Sequence, residues 1–220
     1  MKTRRTRLAR IVLLYAAFTE HGDQDRFRTA IESSYQTASL ARLVSNSGGS
    51  TQNAAVVALG VMGDPLAIPL LGPLLRHHDR SLRSKADSAL ESICELAGGD
   101  DQVRGLEQVA RLNEQGHFDQ VVELSTQLID GTIGTVELLH QRSLAFFQLD
   151  SIEHAVSDCR EILKLQPFHY SAMVGLAQCH LELGDLLEAV FWYRQALDTY
   201  PDLEAVRIKV QKLEKALLDL

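Results

Sequence analysis

Apolar residues recur three and four positions apart along most of the chain, a spacing that predicts helices with one buried face each. In the C-terminal half these stretches repeat with a 34-residue period, which places Gly116, Asp150 and Gly184 in equivalent turns. A fixed period of this length indicates stacked two-helix units. After each turn, an apolar residue and one three positions later share a helix face: Phe118 with Val121, Ile152 with Ala155, and Leu186 with Ala189.

Further residues match this period. Pro167 and Pro201 occupy equivalent positions and end the second helix of their units, because proline lacks the N–H that a continuing helix needs. The third unit carries most of the matching packing residues, namely Leu176, Ala177, Gly184, Ala189, Tyr193, Ala196 and Pro201. These residues resemble the tetratricopeptide repeat. The resemblance implies three units, at about 102–135, 136–169 and 170–203, that stack as an all-α, α–α superhelix (solenoid).

The first two units depart from the family pattern. The second keeps Phe146, Ala155, Ile162 and Pro167, but Arg142 and Ser143 stand where a large apolar and a small residue are usual. In the first unit Gly105, Val121 and Ile133 replace the large, small and proline residues. The segment GTIGT at 131–135 predicts an irregular closing loop there.

The N-terminal half has a second, 31-residue period, which aligns Ala58-Leu59 with Ala89-Leu90. The segment 58–75, ALGVMGDPLAIPLLGPLL, resembles a HEAT repeat of the short type found in bilin-lyase-like proteins. The resemblance implies two helix pairs over about 37–96, with a turn at Gly63 and Asp64, and Pro65 in the first helical turn. Its buried face would carry Ile68, Leu71 and Leu75.

Two further helices are expected before these pairs, over residues 4–36, as a cap on the stack. The segment AGGDD at 97–101 is the best domain boundary, because glycines end helices and aspartates begin them. We therefore expect an N-terminal module at 1–98, with a helical cap and two HEAT-like repeats, and a tetratricopeptide module at 99–220.

Charge separates the two halves. Of the 220 residues, 45% are hydrophobic and 23% charged, which is typical of a folded chain. Cutting after Gly99 leaves +3 on the first half and −10 on the second. The acidic half argues against nucleic acid binding. The five basic residues before Ile11 could contact anionic lipid or nucleic acid, although a solvated, frayed end is favoured.

Three cysteines at no metal-like spacing indicate a reducing compartment, and the apolar run at 11–18 is too short for a membrane span. We therefore expect a cytoplasmic protein. The sequence contains no phosphate loop, nucleophile elbow or metalloprotease motif, so we expect no catalysis, cofactor or metal. Metal binding by His77-His78 or by the histidines of the last two units is not favoured. A bilin-lyase-like, cofactor-handling role is a weaker alternative, because fold alone does not imply function.

The expected function is a non-catalytic adaptor or scaffold that binds another protein. The first helices of stacked pairs line a concave groove. Its residues are apolar, neutral or acidic, which predicts a basic or amphipathic partner segment and excludes the capture of acidic chaperone tails. Their alternative role is to complete the core. The predicted groove residues are Leu106, Glu107, Ala110, Asn113, His140, Gln141, Leu144, Phe147, Val174, Gln178, Leu181 and Glu182.

The last helix departs from the repeat pattern and carries apolar residues alternately three and four apart. We expect this seam to pack on the third unit as a cap. The alternative is a structural homo-oligomer, a homodimer held by the same seam. Its residues are Leu203, Val206, Val210, Leu213, Leu217 and Leu220.

Overall fold

A computed structural model of the chain describes residues 2–97 and 100–218, with side chains described for 10–97 and 102–218. Throughout these ranges the regular structure is helical and no strand occurs, as the sequence predicts. The chain forms two compact units, Met1–Ala97 and Gly98–Leu220. Within the described residues, no helix is long and apolar enough to cross a membrane.

The first unit contains six α-helices. Two short 3₁₀ segments, Pro65–Ala67 and Gly72–Arg76, flank the fifth. The first two helices contact the fourth, and their role as a cap stays a prediction. The helices are α1 (Lys2–His21), α2 (Gln24–Glu32), α3 (Thr37–Asn46), α4 (Gly49–Met62), α5 (Ile68–Leu71) and α6 (Arg80–Leu96).

The turn after α4 has the predicted geometry. Gly63 ends that helix in the left-handed conformation, at φ 67°. Asp64 accepts a hydrogen bond from the amide of Leu66 at 3.0 Å, and Pro65 follows at the first helical position. Ile68, Leu71 and Leu75 are buried, as predicted. The HEAT-repeat resemblance of this unit nevertheless stays a prediction.

The second unit consists of three helix pairs and a final helix. Each pair packs on the next, since α8 contacts α9 and α10 contacts α11. The helices are α7 (Asp100–Glu114) with α8 (Phe118–Leu128), α9 (Val136–Gln148) with α10 (Ile152–Leu165), α11 (Tyr170–Glu182) with α12 (Leu186–Thr199), and α13 (Glu204–Leu218).

The sequence period reappears in the backbone of the three turns. Gly116, Asp150 and Gly184 have φ of 76°, 58° and 77°. This left-handed conformation is open to glycine and unfavourable for residues with a Cβ atom. Asp150 is the single non-glycine residue with positive φ in the described part of the chain.

The first pair compensates for its missing large residue. A Cβ atom on Gly105 would clash with Cδ1 of Leu128. The leucine from the second helix of the pair therefore fills the space that a large side chain occupies in the family pattern. The closing loop of this pair is irregular, as predicted, and runs through a 3₁₀ segment at Ile133–Thr135.

The second pair replaces apolar packing with an ion pair. Arg142 donates from Nε to Oδ2 of Asp158 at 2.8 Å, and from Nη2 to Oδ1 at 2.7 Å. Nη1 donates to Oγ1 of Thr126 at 2.9 Å. The two charged side chains are only 16% and 7% exposed. One arginine thus connects α8, α9 and α10 where the family pattern has a large apolar residue.

The backbone strain at Asp150 is testable by exchanging aspartate and glycine between equivalent turns. We expect Asp150→Gly to raise the free energy of unfolding by about 0.5–1 kcal/mol, because glycine adopts positive φ without the Cβ clash. Gly184→Asp should lower it by a similar amount. Chemical denaturation measures both. If Asp150→Gly destabilised the chain, the contacts of the aspartate would outweigh its backbone strain.

The buried ion pair is testable by a double-mutant cycle. Arg142→Ala should lower the free energy of unfolding by about 3 kcal/mol, because it leaves the Asp158 carboxylate buried and unpaired. Asp158→Ala is the second single variant, and Arg142→Ala/Asp158→Ala should cost less than the sum of the two single losses. Lys164→Ala, in the exposed pair with Glu161, is the matched control and should cost less than about 1 kcal/mol. Additive losses in the cycle would contradict coupling.

Candidate functional site

The first helices of the three pairs lie side by side, since α7 contacts α9 and α9 contacts α11. The twelve predicted groove residues lie on these three helices. We call this set of positions the first-helix face. What this face can bind depends on which of its side chains remain exposed and which pack in the core.

On α7 the face is partly used for packing. Leu106 packs against the core cluster that contains Val109 and Val121. Asn113 donates to the backbone oxygen of Gln141 at 2.9 Å and to its Oε1 at 2.7 Å. The asparagine therefore joins the first and second pairs. Ala110 is half-buried, and Glu107 is exposed.

On α9 the face is most accessible. Leu144 is 44% exposed, whereas Phe147, His140 and Gln141 are half-buried. The neighbouring Ala145 is fully buried and belongs to the core. Leu144 is therefore the apolar side chain of the face that remains most available to a partner.

On α11 the apolar residues belong to the core. Val174 and Leu181 pack against a cluster formed by Ala177, Tyr193 and Val210. The remaining predicted residues of this helix are more polar, Gln178 being half-buried and Glu182 exposed. Leu181, which the sequence predicted to contact a partner, therefore packs in part against the core.

A carboxylate absent from the predicted set lies at the junction of the second and third pairs. Oε2 of Glu137 is 3.7 Å from Nδ1 of His140, and Oε1 is 3.6 Å from Nε2 of His169. The two imidazole rings meet edge to face at 5.1 Å. The i, i+3 spacing of Glu137 and His140 was visible in the sequence. The approach of His169, from beyond the end of α10, depends on the packing of α11 against α10.

This cluster keeps Glu137 ionised. Burial alone would raise its pKa, but hydrogen bonding from His140 and His169 outweighs burial and lowers the pKa to about 2. The separations of 3.6 and 3.7 Å exceed those of a well-formed hydrogen bond, so we expect only part of the corresponding energy. The cluster places a negative charge, on a side chain that is 16% exposed, on α9 one turn before His140 of the first-helix face.

The same three side chains have the composition of a zinc ligand set, and their ligand atoms lie within 4.8 Å of one another. The amide of Ala172, however, donates to Nδ1 of His169 at 3.1 Å. That nitrogen accepts, so the ring proton is on Nε2, which faces Glu137. A metal bound to Nε2 would shift the ring proton to Nδ1, where it would face the amide N–H of Ala172. The hydrogen bond that caps the N-terminus of α11 would then be lost. The proton arrangement therefore favours a hydrogen-bonded cluster.

The cysteines of this unit are packing residues. Cys159 is 2% exposed and Cys179 is 1% exposed, and both are free thiols. Burial raises the pKa of Cys159 to about 12 and that of Cys179 to about 11. Because metal binding and nucleophilic attack both need the thiolate, these values match the expected role of Cys159 as a small apolar side chain.

The apolar seam of α13 packs within the chain. Val210 is 6% exposed and belongs to the core cluster of the third pair, and Val206 and Leu213 pack against it. Leu203 and Leu217 are half-buried, and Leu220 lies outside the described residues. The three central residues thus pack on the third pair, and both the capping role and the homodimer stay predictions.

Comparison with known proteins supports the assignment of the third helix pair. Residues 170–203, which comprise α11 and α12, match the family model described as tetratricopeptide repeat. The third helix pair therefore matches the tetratricopeptide repeat. Tetratricopeptide repeats stack into surfaces that bind other proteins.

Two known proteins resemble the chain over different lengths. Over 81 residues, 36% of the chain, the sequence is 33% identical to tetratricopeptide repeat protein 4 of Bos taurus, and the match spans 21% of that protein's length. A solved thermophilic tetratricopeptide repeat protein of Thermus thermophilus aligns over 95% of this chain and 97% of its own, with 18% identity and a TM-score of 0.40.

The ionised carboxylate gives a pH-dependent prediction. Since the folded pKa of Glu137 lies below its ordinary value of 4.5, its contribution to stability is present above pH 4.5 and is lost as the pH falls toward 2. We expect Glu137→Gln, which keeps the shape and removes the charge, to cost about 1–2 kcal/mol at pH 7. The difference from wild type should shrink between pH 5 and pH 3.

Urea denaturation across this pH range is the measurement. Glu153→Gln is the control, because Glu153 lies in the first turn of α10 as Glu137 lies in the first turn of α9, and it should cost less than Glu137→Gln at pH 7. A difference for Glu137→Gln that stayed constant on acidification would show that its charge does not stabilise the fold.

Proposed function

We propose that the second unit binds a basic or amphipathic segment of another protein on its first-helix face and acts as an adaptor without catalysis. The observation that carries this proposal is the exposed Leu144, about two helical turns after the ionised Glu137 on the same helix. One residue offers apolar contact area, and the other offers charge. Both lie on α9, the middle of the three first helices.

The apolar part of the proposal rests on the difference between Leu144 and its neighbours. Leu139 and Ala145 on the same helix are 2% and 0% exposed, whereas Leu144 is 44% exposed. Covering a leucine side chain contributes about 25 cal/mol for each Å² of apolar surface removed from water. Phe147, half-buried one turn further along, extends this apolar area.

The electrostatic part rests on the acidic residues of the face. Glu107 on α7 and Glu182 on α11 are exposed, and Glu137 lies on α9. Each of the three first helices therefore carries a negative charge. None of the twelve predicted positions carries lysine or arginine. A basic partner segment is favoured because opposite charges steer encounter and suppress acidic competitors.

The proposal is tested by removing the apolar contact alone. Leu144→Ser should reduce binding of the natural partners at least tenfold, about 1.4 kcal/mol, while the melting curve stays within a few degrees of wild type. The matched control is Leu66→Ser, which makes the same change at an 82% exposed leucine of the first unit. Affinity capture from native lysate with quantitative mass spectrometry compares the three proteins.

The relevant partners are the proteins that the Leu66→Ser variant still captures and the Leu144→Ser variant does not. Their binding should also fall with Glu137→Gln and with added salt, because the charge contributes. If every captured protein bound the two leucine variants equally, the first-helix face would not be the binding surface. If Leu144→Ser unfolded the unit, this leucine would belong to the core.

A further inference from the structure

The outward face of α12 is apolar and exposed. Leu187 and Phe191, one helical turn apart, are 71% and 49% exposed. Leu183, in the turn that precedes the helix, is 50% exposed. We call these three residues the α12 patch. They point away from the core because Ala189, Tyr193 and Ala196 fill the opposite face of the same helix.

The other two pairs show that the fold does not require apolar side chains at the positions of Leu187 and Phe191. The repeat period gives each second helix outward positions equivalent to those of Leu187 and Phe191. These positions hold Glu153 and Ser157 in α10, and Asp119 and Glu123 in α8, all exposed. The equivalent helices are thus polar where α12 is apolar. Leu149, at the position equivalent to Leu183, is also an exposed leucine, and lone exposed leucines are common on proteins. The pair Leu187 and Phe191, by contrast, has no apolar counterpart in the other two repeats, which indicates an interaction surface.

Part of the patch is fixed by the core. The ring of Phe191 meets the ring of Trp192 edge to face at 5.2 Å. Trp192 in turn packs against the cluster that contains Tyr193 and Val210. An exposed aromatic side chain supported in this way loses little conformational freedom when a partner covers it.

Acidic residues flank the patch. Asp185 begins α12, Glu188 lies in its first turn and Asp198 near its end, and all three are exposed. The single basic residue of the helix, Arg194, donates from Nε to Glu214 at 2.8 Å, so its charge is matched within the chain. Apart from Arg194, the charged residues of α12 and its N-cap are therefore acidic.

We propose that the α12 patch is a second docking surface, for a basic amphipathic helix of another protein. The apolar side of such a helix would cover Leu183, Leu187 and Phe191, and its basic side would meet Asp185 and Glu188. A second copy of this chain fits less well, because pairing two identical patches would bring these acidic residues together. This surface lies on a second helix and does not depend on the proposed function of the first-helix face.

The test uses a fluorescent 18-residue helix built from leucine on one side and lysine on the other, and measures its binding by anisotropy in 150 mM NaCl. The variant Leu187→Glu/Phe191→Ser carries the residues of α10 at these positions, so the fold tolerates them. We expect saturable binding to the wild type and at least tenfold weaker binding to this variant. Circular dichroism checks that both are folded.

The negative charge that Leu187→Glu adds distinguishes apolar docking from general electrostatic attraction. Leu187→Glu makes the protein more acidic, so a purely electrostatic peptide would bind the variant equally or more tightly, and that result would overturn the proposal. Leu66→Glu makes the same change outside the patch and should leave binding unaffected. Loss of binding with Leu144→Ser and not with the patch variant would place the peptide on the first-helix face and overturn the proposal.

Light scattering provides a further decisive comparison. We expect the wild type and the patch variant to have the same mass. A wild-type dimer that the variant dissociates would identify a second copy as the occupant and overturn the proposal in its stated form.

Discussion

A helix pair of the second unit cannot bury its own apolar face, so each pair depends on the next. Val109 and Val121 from the first pair share a cluster with Leu138 and Ala145 from the second. At the end of the stack, Val210 of α13 covers Ala177 and Tyr193 of the third pair. This dependence between neighbours aligns the first helices, and it also requires a final helix to cover the last pair.

The same packing divides the surface into two kinds of site. On the first-helix face, polar contacts between pairs, such as Asn113 with Gln141, fix the neighbouring helices and leave Leu144 exposed. On α12, the core fixes Trp192, and Trp192 supports the exposed ring of Phe191. Both proposed surfaces are therefore supported by side chains that also stabilise the stack.

Much of the second unit could be predicted from its sequence, because turn geometry and helix faces are local. The regular spacing of Gly116, Asp150 and Gly184 predicted three equivalent turns, and all three share the left-handed conformation. The irregular loop after the first pair was also expected. The roles of Arg142 and Gly105 were not foreseen, because Asp158 and Leu128, which explain them, approach from other helices.

The helical class and the 34-residue period of the helix pairs follow from the sequence alone, since periodicity and turn residues act over a few neighbouring positions. Tertiary structure decided which positions remain available for function. It placed Leu181 against the core, left Leu144 exposed, and brought His169 to Glu137. The physical reason is that exposure and charge depend on the helices that pack nearby, and those helices are distant along the chain.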